Sequence, residues 1–368
     1  MKDNRKIKVG ITQGDINGIG YEVILKALDD PRFVELCTPV IYGSAKIAAY
    51  YRKGLDIAPV NLVQVPSADD ARDGDVNIIN VVPEDTKIEP GVASKTAGQA
   101  AFASLESAVA DLRSGSIDVL VTAPINKDTI QSETFTFPGH TEYLEASIGD
   151  GDKSLMVLCS DDIRVALVTA HMPLAKVPSA ITKEAILEKL RIFNRSLQRD
   201  FAIDCPRIAV LSLNPHAGEN GLLGTEARDV IIPAIEEAGD EKILAFGPYA
   251  SDGFFGSEAY EKFDGILAMY HDQGLTPFKA LAMDQGVNYT AGLPYVRTSP
   301  DHGTGFDIAG KDMASAESMR SAIYMAIDIY RNRLRYDRAY RNPLRKQYFD
   351  KSKDNVVLDL TKDDSEND

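Results

Sequence analysis

Val165-Ala166-Leu167-Val168-Thr169 is a run of apolar and β-branched residues that leads through Ala170 straight to His171. The arrangement recurs twice: Ile208 to Leu213 is followed by Asn214-Pro215-His216, and Ile266 to Tyr270 by His271. Short apolar runs without polar alternation read as strands buried on both faces, the kind found in parallel sheets of α/β proteins. A histidine just past the carboxyl end of such a strand points into the crevice where open α/β sheets bind ligands. Three imidazoles are also the number of protein ligands that a catalytic metal site uses, with one position left for substrate. One such residue alone reads equally as a loop histidine with a structural hydrogen bond; three in the same placement point to a divalent metal at His171, His216 and His271. Zinc is the first expectation, with Mg, Co, Mn, Ni or Fe as alternatives.

Outward from these runs, strand-like and helix-like segments alternate, which is the mark of an α/β fold. Strands are expected at Ile7 to Thr12, Pro39 to Tyr42 and Ile117 to Thr122, and helices at Tyr21 to Leu28 and Ala97 to Leu112, the second closing at Ser114-Gly115. Thr182 caps a helix with one apolar face through Ile186, Leu190, Phe193, Leu197 and Phe201. A last helix, Ser315 to Arg333, turns Met319, Ile323, Ala326 and Ile327 inward. Residues 65 to 96, with Pro66, Pro83 and Pro90, read as a hairpin or long connection, and the acidic run 363–368 as disordered.

A chain of 368 residues is long for one core and suggests two domains. The net charge of −15 and the lack of a basic run argue against a nucleic-acid partner. Cys37, Cys159 and Cys205 form no Cys-x-x-Cys pair, and Cys159 reads as a buried thiol, so no disulfide is expected and a reducing cytoplasm fits. The charged start has no apolar signal region, and no run of about 18 apolar residues exists, so no membrane partner is expected.

In so acidic a chain, cations among turn residues are informative. Lys127 follows Ala123-Pro124-Ile125-Asn126 at a strand end, Lys279 follows Thr276-Pro277-Phe278, and Arg297 lies in Tyr295-Val296-Arg297-Thr298. A guanidinium forks onto carboxylate or phosphate and an ammonium acts as a point charge, so the three imply a small anionic ligand. Asp252 and Asp272 are carboxylates that could orient the histidines or accept a proton. Gly14-Asp15-Ile16-Asn17-Gly18-Ile19-Gly20 follows a strand and opens a helix, but its spacing is not G-x-G-x-x-G, which argues against a Rossmann site.

Thr12-Gln13-Gly14-Asp15, Pro138-Gly139-His140-Thr141-Glu142, Thr169-Ala170-His171-Met172-Pro173, Asn214-Pro215-His216-Ala217-Gly218, Tyr270-His271-Asp272-Gln273-Gly274 and Asp301-His302-Gly303-Thr304-Gly305, in this order, resemble the motif series of the 4-hydroxythreonine-4-phosphate dehydrogenase family, enzymes of pyridoxal 5'-phosphate synthesis. The first loop departs from that series, reading Gln13-Gly14-Asp15-Ile16-Asn17-Gly18 where a proline and a glutamate are expected in most members, and residues 65 to 92 look expanded. The resemblance implies an isocitrate/isopropylmalate dehydrogenase-like fold, two α/β domains around a cleft. Residues 1–130 plus 288–368 would form the cofactor side, and 131–287 the metal-binding and dimerisation domain.

It also implies NAD or NADP as cofactor, with His302, Gly303, Thr304 and Asp307 in a loop on the adenosine end. His140, Thr141, Lys279, Asn288 and Arg297 would contact a phosphorylated substrate. His171, His216 and His271 would hold the metal, one of them supplied across a homodimer interface. The implied reaction is oxidation of 4-phosphooxy-L-threonine at its C3 hydroxyl, followed by decarboxylation, with Asp252, Asp272, Lys127 or a relayed water as the base. Two other readings use the same residues: oxidation of a phosphothreonate-type acid, and a metal-dependent hydrolase that needs no cofactor loop.

Overall fold

The structure, a computed structural model, describes residues 5–342; the acidic run 363–368 lies outside them. Twelve strands form one sheet. In chain order they are β1 (Ile7–Thr12), β2 (Cys37–Gly43), β3 (Leu62–Gln64), β4 (Val76–Asn80), β5 (Val119–Thr122), β6 (Leu155–Cys159), β7 (Arg164–Leu167), β8 (Arg207–Leu211), β9 (Leu244–Tyr249), β10 (Gly265–Ala268), β11 (Val287–Ala291) and β12 (Val296–Pro300). Their order across the sheet is β3-β4-β2-β1-β5-β12-β11-β6-β7-β10-β8-β9, which is not the order of a Rossmann sheet.

Two parallel blocks make up this sheet. β3, β4, β2, β1, β5 and β12 run one way. β7, β10, β8 and β9 run together on the far side. Between the blocks, β11 is antiparallel to both neighbours and so is β6. The three strands that precede the histidines are therefore adjacent and parallel, in the order β7-β10-β8. Their side chains are buried on both faces, which is why they lack alternation: Val165, Ala166, Ile208, Ala209, Val210 and Leu267 have no more than 0% exposure.

Helices cover the sheet where apolar periodicity requires it. The helix Lys183–Arg199 starts at Thr182, whose side chain accepts from Ala185 N, and buries Ile186, Leu190, Phe193 and Leu197. Each of these contributes about 1.5–3 kcal/mol of apolar burial before chain entropy is set against it. Lys95–Ser114 ends at Gly115, which takes the left-handed conformation with φ 82°. The last helix spans Glu317–Tyr340, longer than its apolar face predicts. Beyond Ile329 its inward residue is Arg333, whose Nε donates to Asp200 Oδ1 at 2.6 Å. Asp200 also accepts from Ser196 and Tyr289.

Residues 65 to 96 correct one expectation. They form no hairpin: β4 lies within them, parallel to β2 and β3, with a connection on either side of it. The surrounding prolines disguise the short run Val76-Asn77-Ile78-Ile79. Cys159 and Cys37 are buried free thiols, and Cys205 is exposed. Among the described residues no helix is long and apolar enough to cross a membrane.

Candidate active site

The ends of β5, β7 and β10, with β6, β11, β12 and the start of the helix His140–Ile148, line a cavity of about 300 Å³. It brings together Lys127, His140, Thr141, His171, His271, Lys279, Asn288, Arg297, His302 and Gly303. These residues span the chain from 127 to 303, so only the sheet order makes them neighbours.

Arg297 is the centre of charge. It is 3% exposed, and its guanidinium donates to Thr122 Oγ1 through Nε (3.0 Å) and one Nη (2.5 Å), and to Thr290 Oγ1 at 3.2 Å. No carboxylate among the described residues pairs with it, and burial pushes the guanidinium down to about 9. A buried charge held only by hydroxyls is costly, and an anionic ligand would offset that cost. Lys279 adds a second cation, 3.3 Å from Asp301 Oδ2, and exposed Lys127 a third. Among the buried polar side-chain atoms without a protein hydrogen-bond partner are His140 Nε2, Asn288 Oδ1 and His302 Nε2. All three belong to residues that line the cavity.

Desolvation, then the charges of Arg297 and Lys127, hold His140 well below the ordinary imidazole value. Desolvation and Lys127 also lower His171, which lies exposed at the rim. Its ring centroid is 5.7 Å from that of His271. His271 Nδ1 lies 2.7 Å from Asp272 Oδ1, the carboxylate–imidazole arrangement that orients metal-ligating histidines. The donor set thus fits a divalent metal in part. Two imidazoles meet in one chain, and no three His, Cys, Asp or Glu gather as a metal set among the described residues.

His216 is the absent third. It follows β8 as expected, but residues 216–220 all take left-handed φ values, from 44° to 81°, which turn it into solvent outside the cavity. Exposed apolar side chains lie in the neighbouring loops and on the edge strand β9: Met172, Leu174, Leu222, Leu223 and Phe246.

Four further expected residues lie outside the cavity of their own chain. Asp252 is exposed on the short helix Ser251–Gly256. Asp272 has 82% side-chain exposure and acts on His271 rather than facing the cavity. Thr304 gives its carbonyl to Ile19 N, and Asp307 gives its carbonyl to Lys311. Gly303 has open space where a Cβ would sit and lines the cavity. Gly305 differs: its φ is +54° and a Cβ would meet Ile19, so its own packing explains it.

Glu142 and Asp301 line the cavity but were read only as parts of motifs. Burial raises Asp301, with Lys279 opposing the shift. Thr122 and Thr290, the hydroxyls that hold Arg297, left no signal beyond their place in strands.

Comparison with known proteins decides the family. The profile described as "Pyridoxal phosphate biosynthetic protein PdxA" matches residues 35–326. The chain belongs to the PdxA family. It is 59% identical over 360 residues, 98% of either chain, to 4-hydroxythreonine-4-phosphate dehydrogenase of Bacteroides thetaiotaomicron. It is 42% identical over 330 residues to the enzyme of that name from Sulfurihydrogenibium sp., covering 89% of this chain and 99% of the relative. Among solved structures, 4-hydroxythreonine-4-phosphate dehydrogenase from Klebsiella pneumoniae superposes with a TM-score of 0.78 at 34% identity, over 89% of this chain and 99% of that one. This PdxA member is accordingly an oxidoreductase of pyridoxal phosphate biosynthesis.

The first loop precedes the stretch that matches the PdxA profile. Here Gln13 is fully buried, donates to Ala100 O at 2.9 Å and accepts from Tyr21 at 2.6 Å, so its amide is fixed by packing.

Proposed function

We propose that this chain is an NAD(P)- and divalent-metal-dependent dehydrogenase. It would oxidise 4-phosphooxy-L-threonine (4-hydroxy-L-threonine 4-phosphate) at the C3 hydroxyl to 2-amino-3-oxo-4-phosphooxybutanoate, which decarboxylates to 3-amino-2-oxopropyl phosphate. Its relatives carry the name of this activity. The observation that carries the reading is the buried guanidinium of Arg297, which no carboxylate among the described residues pairs, in the cavity that also holds Lys127, Lys279, His171 and His271. We take the architecture to be isocitrate/isopropylmalate dehydrogenase-like, with the cleft between two domains at this cavity.

In this reading Arg297, Lys279 and Lys127 neutralise the anionic groups of the substrate. Thr122 and Thr290 fix the plane of the guanidinium. Thr141, Asn288 and neutral His140 supply hydrogen bonds, and Gly303 leaves room for the dinucleotide beside His302, with Thr304 and Asp307 further along the same loop. His171 and His271, with His216 of a second copy, would hold the metal, which makes the working unit a homodimer. When bound, the metal supplies Lewis-acid stabilisation of charge on oxygen, and the nicotinamide supplies a hydride acceptor. Of the three candidate bases only Lys127 lines the cavity of its own chain.

The deciding experiment supplies 4-phosphooxy-L-threonine and, separately, a 4-phosphothreonate to the metal-loaded protein and follows NADH or NADPH absorbance. Turnover of the first with release of carbon dioxide is expected. Turnover of the phosphothreonate alone would move the assignment to that substrate.

A further inference from the structure

Residues 302–314 contain no strand or α-helix, and Gly303 leaves their cavity side open. A backbone without ladder hydrogen bonds loses about 1–2 kcal/mol per residue in entropy when ordered. Something behind the segment must hold it. At its near end, Ile19 N donates to Thr304 O at 2.9 Å, and a Cβ on Gly18 would lie 2.6 Å from that carbonyl. At its far end stands the helix Gly20–Ala27.

Glu22 on that helix is 0% exposed, and its Oε1 accepts from Ala314 N at 2.7 Å. Lys26, one turn on, donates to the same Oε1 at 2.9 Å and to Ala314 O at 3.0 Å, and forms an ion pair with Asp312 at 2.8 Å. The two charged side chains thus take both backbone groups of Ala314 and the one acidic side chain beside it. A fully buried carboxylate costs several kcal/mol unless it is paired and hydrogen-bonded. Neither Glu22 nor Lys26 lines the cavity. Holding the segment is the task their bonds describe.

We propose that Glu22 and Lys26 are positioning residues for dinucleotide binding, fixing residues 302–314 from behind in the form that receives the adenosine end. This rests on reading that segment as the cofactor loop. Affinity would then come partly from a loop already ordered before the ligand arrives.

The test is amide hydrogen exchange on the full-length protein, with and without NAD, in the parent, Glu22→Gln and Asp312→Asn. Asp312→Asn is the safer variant, because Asp312 sits at φ 59°, a conformation asparagine tolerates. In the parent, NAD should protect 302–310. Without NAD, both variants should exchange faster across 302–314, with the helix His271–Ala282 unchanged. Calorimetry should show NAD binding weakened by about ten-fold, roughly 1.4 kcal/mol, and zinc binding unaltered. Unchanged exchange in the variants, or a loosened segment with unchanged NAD affinity, would overturn the positioning role. No NAD protection in the parent would instead remove the cofactor reading on which it rests, and the loosening in the variants would still be visible.

Discussion

Arg297 donates through Nε and Nη to a single oxygen, the hydroxyl of Thr122, at 3.0 and 2.5 Å. One neutral acceptor thus takes two donors of a buried cation. The arrangement holds the guanidinium in place without neutralising it, as suits a group whose counter-charge arrives with the ligand.

Replacing Arg297 by Met should therefore separate stability from function. The unfolding midpoint in urea should stay level or rise, because a buried unpaired charge is removed. On the proposed substrate role, the KM for the phosphorylated substrate should rise by about 100-fold or more, since a charge-assisted contact to an anionic group of the substrate is removed. A clear loss of stability would mean that Arg297 is a structural cation.

His171→Ala, His216→Ala and His271→Ala should each lose turnover and bound metal, measured by elemental analysis, with the circular dichroism spectrum unchanged. Mixing Arg297→Met with His216→Ala should restore part of the activity once subunits exchange, because one mixed site then has every group. No recovery after verified exchange would place His216 outside the partner's site.

Two glycines two residues apart should behave oppositely. Gly303→Val enters open space and should leave stability intact, while raising KM for NAD by about ten-fold. Gly305→Val meets Ile19 at a left-handed φ and should cost about 1–3 kcal/mol in denaturant unfolding.

Acid should weaken the fold through His140. Its folded value lies below the ordinary imidazole value of about 6.5, so below that pH the unfolded chain takes up a proton that the folded chain refuses. Stability should fall as pH drops from about 6.5 and stay flat above it. His140→Gln should show a shallower decline between pH 7.5 and 5.5, measured as urea midpoints; an equal slope would mean that His140 carries no part of it.

Removing Asp200 by Asp200→Ala strands Arg333 in the interior, where it is 5% exposed. The expected cost is about 3–5 kcal/mol in chemical denaturation. Activity per folded molecule should be kept, as neither residue lines the cavity.

What could be read from the chain alone follows the range of the interactions. The runs ending at Thr169, Leu213 and Tyr270 showed buried strands because burial on both faces suppresses alternation, a local property. Thr182 and Gly115 marked helix ends for reasons contained in one turn. Pairing did not show: nothing local tells that β11 and β12 insert between β5 and β6, or that Ala314 N finds Glu22, 292 positions away. Asp252 stood out as a loop carboxylate and Asp272 as the neighbour of His271, yet exposure, which decides whether a carboxylate faces a ligand, is a tertiary property. His216 was found by its strand, and its outward turn by no residue pattern.

β5 and β6 are consecutive in the chain but are separated in the sheet by β12 and β11. During synthesis, strands up to residue 159 therefore emerge with two unfilled edges, and the gap closes only when residues 287–300 leave the ribosome. Long-range closure of this kind slows folding, and exposed apolar edges invite pairing with other chains. A truncation before residue 300 should therefore leave β5 and β6 with unpaired edges and aggregate more readily than the full chain, as light scattering on refolding would show.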